Sequence, residues 1–134
     1  MINPKLYFDF TEGKIIKATE SDVQTTNATV TTLATITPLV NSVGFLEVAL
    51  VATASDGSKS ITGKKFVHWR VAGASASVIT ATNDAADSLN GLTTATWTVD
   101  ASGATLRIRV TGEAATTLNW YVYYHLQSIT TAAA

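Results

Sequence analysis

The side chains in this sequence with the chemistry to ligate, titrate or stack are few. His68 stands between Val67 and Trp69, and His125 follows Tyr124. An imidazole ligates metals or carries protons, but a zinc site takes three or four convergent donors, and the chain contains no cysteine. A metal would therefore need copies of one histidine gathered on a three-fold axis. We read both histidines as sheet-surface or interface groups and expect neither metal nor cofactor. Two acidic pairs, Asp84 with Asp87 and Asp9 with Glu12, have the chemistry of glycoside cleavage, which sets two carboxyls across a sugar cleft. Asp84 and Asp87 lie in a polar loop and Asp9 and Glu12 flank the first hairpin turn, where short acids cap backbone N–H groups instead. Arg70, Arg107 and Arg109 are too few for a nucleic-acid footprint; a solvated strand face or a subunit salt bridge suits them better.

The sharpest group is the run Trp120-Tyr121-Val122-Tyr123-Tyr124. Side chains alternate across a strand, so Trp120, Val122, Tyr124 and Leu126 face one way and Tyr121, Tyr123 and His125 the other. One core takes only one of these faces. The second is open to three readings: packing between two sheets, a tyrosine-rich protein interface, or a platform on which sugars stack. The interface reading is preferred, with Tyr7, Phe8 and Phe10 covering that face in the same subunit or a neighbouring one. The candidate interface set is thus Tyr7, Phe8, Phe10, Tyr121, Tyr123 and His125. None of the compact motifs for dinucleotide, phosphate, zinc-protease, serine-hydrolase or calcium chemistry occurs. Their absence predicts a protein that is not an enzyme.

The elements positioning these residues read as short strands. Leu6 to Phe10 and Lys14 to Ala18 form a hairpin around Thr11-Glu12-Gly13, where glycine supplies the left-handed residue. Val30 to Ile36 is stopped by Pro38, and Phe45 to Ala54 runs from Gly44 into the turn Ser55-Asp56-Gly57-Ser58. In that strand Leu46, Val48, Leu50 and Ala52 share one face. The other, with Phe45, Ala49 and Val51, is apolar too apart from Glu47, which marks a central strand or a subunit contact. Lys64 to Val71 and Ser77 to Thr82 follow, and Asn83 to Asn90 is polar with room for one helical turn. Asn90-Gly91 is the dipeptide of tight hairpins. Thr93 to Val99 and Thr105 to Thr111 flank Asp100-Ala101-Ser102-Gly103, with Leu106, Ile108 and Val110 alternating against Arg107 and Arg109. Leu118 to Leu126 is the last strand, and Ile129 to Ala134 reads as a surface tail.

Strands at this spacing with Gly and Asp turns predict an all-β fold, an antiparallel β-sandwich or jelly roll of about eight strands. The chain has 134 residues, 46% of them hydrophobic, enough for one core and too few for two ordinary domains. Its first 24 residues hold seven charged side chains, Lys5, Asp9, Glu12, Lys14, Lys17, Glu20 and Asp22. That contrast divides the chain into an arm over 1–24, a candidate attachment hairpin, and a sandwich over 25–134.

Net charge is −1 and charged residues make up 14%, so no field exists to draw nucleic acid or an anionic membrane. Low charge with abundant Thr and Ala has two readings, a monomer solvated by hydroxyls or a surface covered by other protein. The N-terminus carries no basic region followed by an apolar run, and no window reaches the ~18 apolar residues of a membrane span. Folding in a cytoplasm is the simplest history.

These stretches carry a resemblance. TTNATVTTLATI from Thr25, GFLEVALVATA from Gly44, FVHWRVAG from Phe66 and TLRIRVTGEAATTLNWYVYYHL from Thr105 together resemble a β-sandwich module of tailed-bacteriophage virion proteins. Such modules occur as small structural proteins or at the ends of longer fibre-like ones. The similarity covers Thr25 to Leu126, with TTNAT and RVTGEAATTLNW its most specific parts. It implies a structural role on a virion made in the bacterial host cytoplasm, as a homo-oligomer with a trimer favoured. The expectation is a capsid decoration or cement protein bound to the major capsid protein. The alternative is a tail-fibre or receptor-binding head that recognises a host glycan or protein.

Overall fold

The computed structural model describes residues 5–9 and 14–131, and side chains from Thr19 to Thr131. Ten strands are present among the described residues: β1 (Lys5–Asp9), β2 (Lys14–Thr25), β3 (Val30–Ile36), β4 (Ser42–Thr53), β5 (Ser60–Ala72), β6 (Ser75–Asn83), β7 (Ser88–Asn90), β8 (Thr96–Ser102), β9 (Thr105–Thr111) and β10 (Leu118–Thr130). They form two antiparallel sheets. The larger has seven strands in the order β1-β2-β10-β4-β5-β6, with β7 also on β5, and the smaller is β3-β9-β8. Of the two predicted architectures the sandwich is the one present; sheets of seven and three strands are not the paired four-stranded sheets of a jelly roll.

Alternation builds the core. Leu46, Val48, Leu50 and Ala52 of β4, Trp120, Val122, Tyr124 and Leu126 of β10, and Val67, Trp69 and Val71 of β5 are buried against Leu106, Ile108 and Val110 of β9 and Trp97 and Val99 of β8. Each large aliphatic or aromatic side chain so buried contributes roughly 1.5–3 kcal/mol. Three tryptophans lie fully inside. Trp120 Nε1 donates to Thr25 Oγ1 at 2.8 Å and Trp97 Nε1 to Asp87 Oδ1 at 3.1 Å, which satisfies the polar end that makes a buried indole costly. Trp69 packs where Gly44, its register partner, has no side chain; a Cβ there would run into the Trp69 ring and the carbonyl of Gln127.

Both flanks of the sandwich are tied. On one side Ser21 Oγ donates to the Leu33 carbonyl at 2.7 Å. On the other, two hairpins turn through the same dipeptide, Gly73-Ala74 between β5 and β6 and Gly103-Ala104 between β8 and β9, each glycine at positive φ. Their tips meet where Ala76 N donates to the Gly103 carbonyl at 2.7 Å.

Three local expectations are corrected. Asn90-Gly91 makes no hairpin: Gly91 has positive φ, but β7 pairs with β5 and β8 with β9, so the turn redirects the chain between sheets. Residues 83–90 form no helical turn; they end β6, bend, and return as β7, because the β5 edge offers a ladder that outcompetes a single turn. Ile129 and Thr130 belong to β10, paired with Val43 and Ser42, rather than to a surface tail. β2 itself pairs with β10 from Lys14 to Thr25, on both sides of residue 24.

Candidate functional site

The inner faces of both sheets are spent on the core, so the surfaces open to a ligand or partner are the outer faces. That of the small sheet is polar. Arg107 lays its guanidinium on Asp100 through Nε to Oδ1 at 2.8 Å and Nη2 to Oδ2 at 3.0 Å, and Arg109 Nη1 lies 3.8 Å from the same carboxylate. The pairing raises the Arg107 pKa, chiefly through its hydrogen bonds to Asp100. These arginines are thus held within one sheet, and Arg70 stands on the outer face of the other, so the three make no stripe.

The outer face of the large sheet is different. Register across β2, β10, β4 and β5 sets out its rows. Asp22, Tyr121, Val51 and Thr62 form one row; Glu20, Tyr123, Ala49 and Lys64 the next; then His125, Glu47 and Phe66; then Gln127, Phe45 and His68; then Ile129, Val43 and Arg70. Apolar groups on this face remain open: Phe45 at 39% exposure, Val51 at 41%, Tyr121 at 37%, Tyr123 at 42% and Ile129 at 47%. Phe45 and Phe66 stack at 5.6 Å between centroids, with Lys64 Nζ 5.3 Å above Phe66 and 3.4 Å from Glu47 Oε1.

Sequence reasoning put Tyr121, Tyr123 and His125 in one line, and the structure brings them together on this face. Tyr121 donates its phenol to Glu20 Oε2 at 2.8 Å; that bond, with some desolvation, raises its pKa. Phe10 and the side chains of Tyr7 and Phe8 lie outside the described residues. The backbone of β1 continues the sheet beside β2, so it does not cross over β10. His68 and His125 sit two strands apart, in different rows. Among the described residues no three His, Asp or Glu side chains converge on a metal-sized space. Asp87 is engaged by Trp97, and the side chains of Asp9 and Glu12 lie outside the described residues. The shallow hollow beside the 83–90 loop, lined by Thr62, Lys64, Asp84 and Ser88, holds no aromatic ring.

What sequence reasoning missed lies at one end of this face. A hollow of about 520 Å³ is lined by Asp22, Gln24, Val51, Thr53, Asn119 and Tyr121, together with Val23, Ala52 and Trp120 between them in the strands. Gln24 and Asn119 are register partners, and Gln24 Nε2 donates to Asn119 Oδ1 at 2.9 Å. Three segments far apart in the chain build this hollow, so no local motif announces it. A second hollow of about 390 Å³, between Phe45, His68, Gln127 and Ile129, is largely apolar.

No family model matches this sequence, and no curated protein matches it. Solved structures do. The fold occurs in phage tailspike proteins. The structure of gp49, a tailspike protein of Acinetobacter baumannii bacteriophage Fri1 described as a capsular polysaccharide depolymerase, is similar to this chain with a TM-score of 0.57 and 10% identity. The similarity takes in 98% of this chain and 20% of that one. The tailspike protein of Acinetobacter baumannii phage AM24 is similar with a TM-score of 0.53 and 10% identity, over 87% of this chain and 27% of that one. This chain therefore spans about a fifth to a quarter of the length of those proteins. The expectation of a protein that is not an enzyme is corrected by the first of them: this fold forms part of an enzyme chain, and the absence of compact motifs does not bear on a site assembled from distant strands.

Proposed function

We propose that this chain is a module of a bacteriophage tail protein of the tailspike or receptor-binding type, and that the outer face of its seven-stranded sheet meets the host surface. The observation that carries the reading is the overlap of nearly the whole chain with a section of a tailspike protein. The exposed Tyr121 and Tyr123, in line with the half-buried His125 and beside Glu20 and Asp22, support it physically. Tyrosines present a rigid apolar ring and a polar tip at low entropic cost, as recognition surfaces require. The comparisons favour this tail reading over capsid decoration, and they offer no counterpart for a major capsid protein as partner.

The virion is the site of action, and the module works as a homo-oligomer, a trimer by preference. The open apolar half of the same face, Val43, Phe45 and Ile129, supports contact with a neighbouring copy, since exposed apolar patches of this kind mark protein contacts. Within residues 1–24 the β1 edge serves attachment: β1 ends the sheet on its side, and an edge ladder accepts a further strand.

Gold-labelled antibody against the chain, imaged on particles of the phage that encodes it, tests the reading. Label at the tail is the expected result, with few copies per particle. Label spread over the shell would overturn it.

A further inference from the structure

We infer that the hollow between β2, β10 and β4 is a binding subsite for a neutral, hydroxyl-rich sugar residue. The inference rests on the host-surface reading above and names the ligand class of that face. A sugar ring needs an apolar plane for its C–H face and, beside it, paired donors and acceptors for vicinal hydroxyls, each of which both donates and accepts. The hollow supplies both. The Tyr121 ring forms one wall and Val51 lies beside it. The phenol is tethered to Glu20, so the ring is fixed before any ligand arrives and little rotamer freedom is lost on binding.

The Gln24–Asn119 pair completes the recognition element. Gln24 spends an N–H on the Asn119 oxygen, which leaves the Gln24 carbonyl oxygen as acceptor and the Asn119 amide N–H groups as donors, side by side on adjacent strands. That is the complement of a vicinal diol. Thr53, the register partner of Asn119 on β4, adds a hydroxyl oxygen as a further acceptor, its proton being donated to the Ala54 carbonyl at 2.8 Å. The volume of about 520 Å³ falls within the ~300–1,000 Å³ of ligand sites. Charge selects within the sugars. Asp22 lines the hollow and Glu20 stands in the next row, bonded to the Tyr121 phenol; carboxylates so placed repel a uronate or other acidic sugar, and Asp22 accepts hydrogen bonds from neutral hydroxyls.

The test uses the full 134-residue chain and surface polysaccharide of the bacterium the phage infects, cleaved to oligosaccharides and separated into neutral and acidic pools. Binding is read by saturation-transfer NMR and by amide spectra of the protein. The expected result is binding by the neutral pool, with shifts at the side-chain amides of Gln24 and Asn119. Asn119→Asp replaces the donor with a charge and is expected to weaken binding about tenfold or more. Tyr121→Ala is expected to abolish it, and Arg70→Ser, at the far end of the face, to leave it unchanged. All three residues point outward, and an unchanged amide spectrum of the core verifies folding of each variant. Equal binding by Asn119→Asp and Tyr121→Ala, binding by the acidic pool alone, or no binding overturns the subsite. None of these moves the antibody label, which decides the tail reading separately.

Discussion

Trp97 of the small sheet reaches across the core to Asp87 in the loop beside the large sheet, its Nε1 donating to Oδ1 at 3.1 Å, directly over Gly63, where any Cβ would strike both groups. Lys65 Nζ covers the same indole at 4.5 Å from its ring. One bond thus fixes the 83–90 loop to the opposite layer. Asp87→Ala leaves a buried N–H without a partner, and is expected to destabilise the protein by roughly 1–3 kcal/mol. Urea denaturation followed by tryptophan fluorescence measures it, and an unchanged midpoint would count against this role for the bond.

Glu113 supplies a pH-dependent element. Its Oε1 accepts the backbone N–H groups of Thr94 and Thr93, both at 2.7 Å, and these bonds hold its pKa down from 4.5 to about 2. A depressed carboxylate contributes stability that is present above its unfolded value and lost as pH falls through the folded one. The 91–95 segment is therefore expected to loosen as pH drops from about 4.5 toward about 2. Amide exchange at Thr93 and Thr94 reads this directly, and in Glu113→Gln the same amides should exchange faster at neutral pH, with the acid step gone.

Close packing at Gly44 is the third expectation. Gly44→Ala forces a methyl group into the Trp69 ring and the β10 backbone. Overpacking of this kind costs typically ~1–3 kcal/mol, and because backbone is one of the obstacles the upper part of that range is expected. Thermal unfolding against a Gly57→Ala control separates crowding from turn effects, since a Cβ at Gly57 meets nothing within 4 Å though its φ is positive.

A fourth expectation concerns assembly. Phe45→Ser removes the ring stacked on Phe66 from the apolar half of the outer face without touching the core. If that half meets a neighbouring copy, sedimentation should shift the species toward the 14.1 kDa monomer with little loss of thermal stability. The same mass for both proteins would remove self-association from this patch.

Most of the architecture was legible because its strands alternate. Leu106, Ile108 and Val110 against two arginines, or Leu46, Val48 and Leu50 against Glu47, admit no other period. The stretch Thr19 to Thr25 was not legible as a strand. Its inward side carries Thr19, Ser21, Val23 and Thr25, and only the tertiary partners explain them: Ser21 bonds the Leu33 carbonyl and Thr25 accepts from Trp120. Polar residues on a core face look like an arm until those partners are seen. Asn90-Gly91 misled for the opposite reason, a strong local turn signal overridden by the ladder that β5 offers to β7. Of the outer face of the large sheet, Tyr121, Tyr123 and His125 could be read from their alternation. Asp22, Gln24, Thr53 and Asn119 could not, since only strand register brings them together.

Because β10 is paired along both edges, with β2 and with β4, its register is locked twice. A slip of one residue would turn the Trp120 side outward and the Tyr121 side inward, and the fold would be lost. The outward positions of the three strands, by contrast, are free of the core. Residues 22, 24, 53 and 119 can therefore be exchanged one at a time, changing what that end of the face presents while the protein keeps its shape.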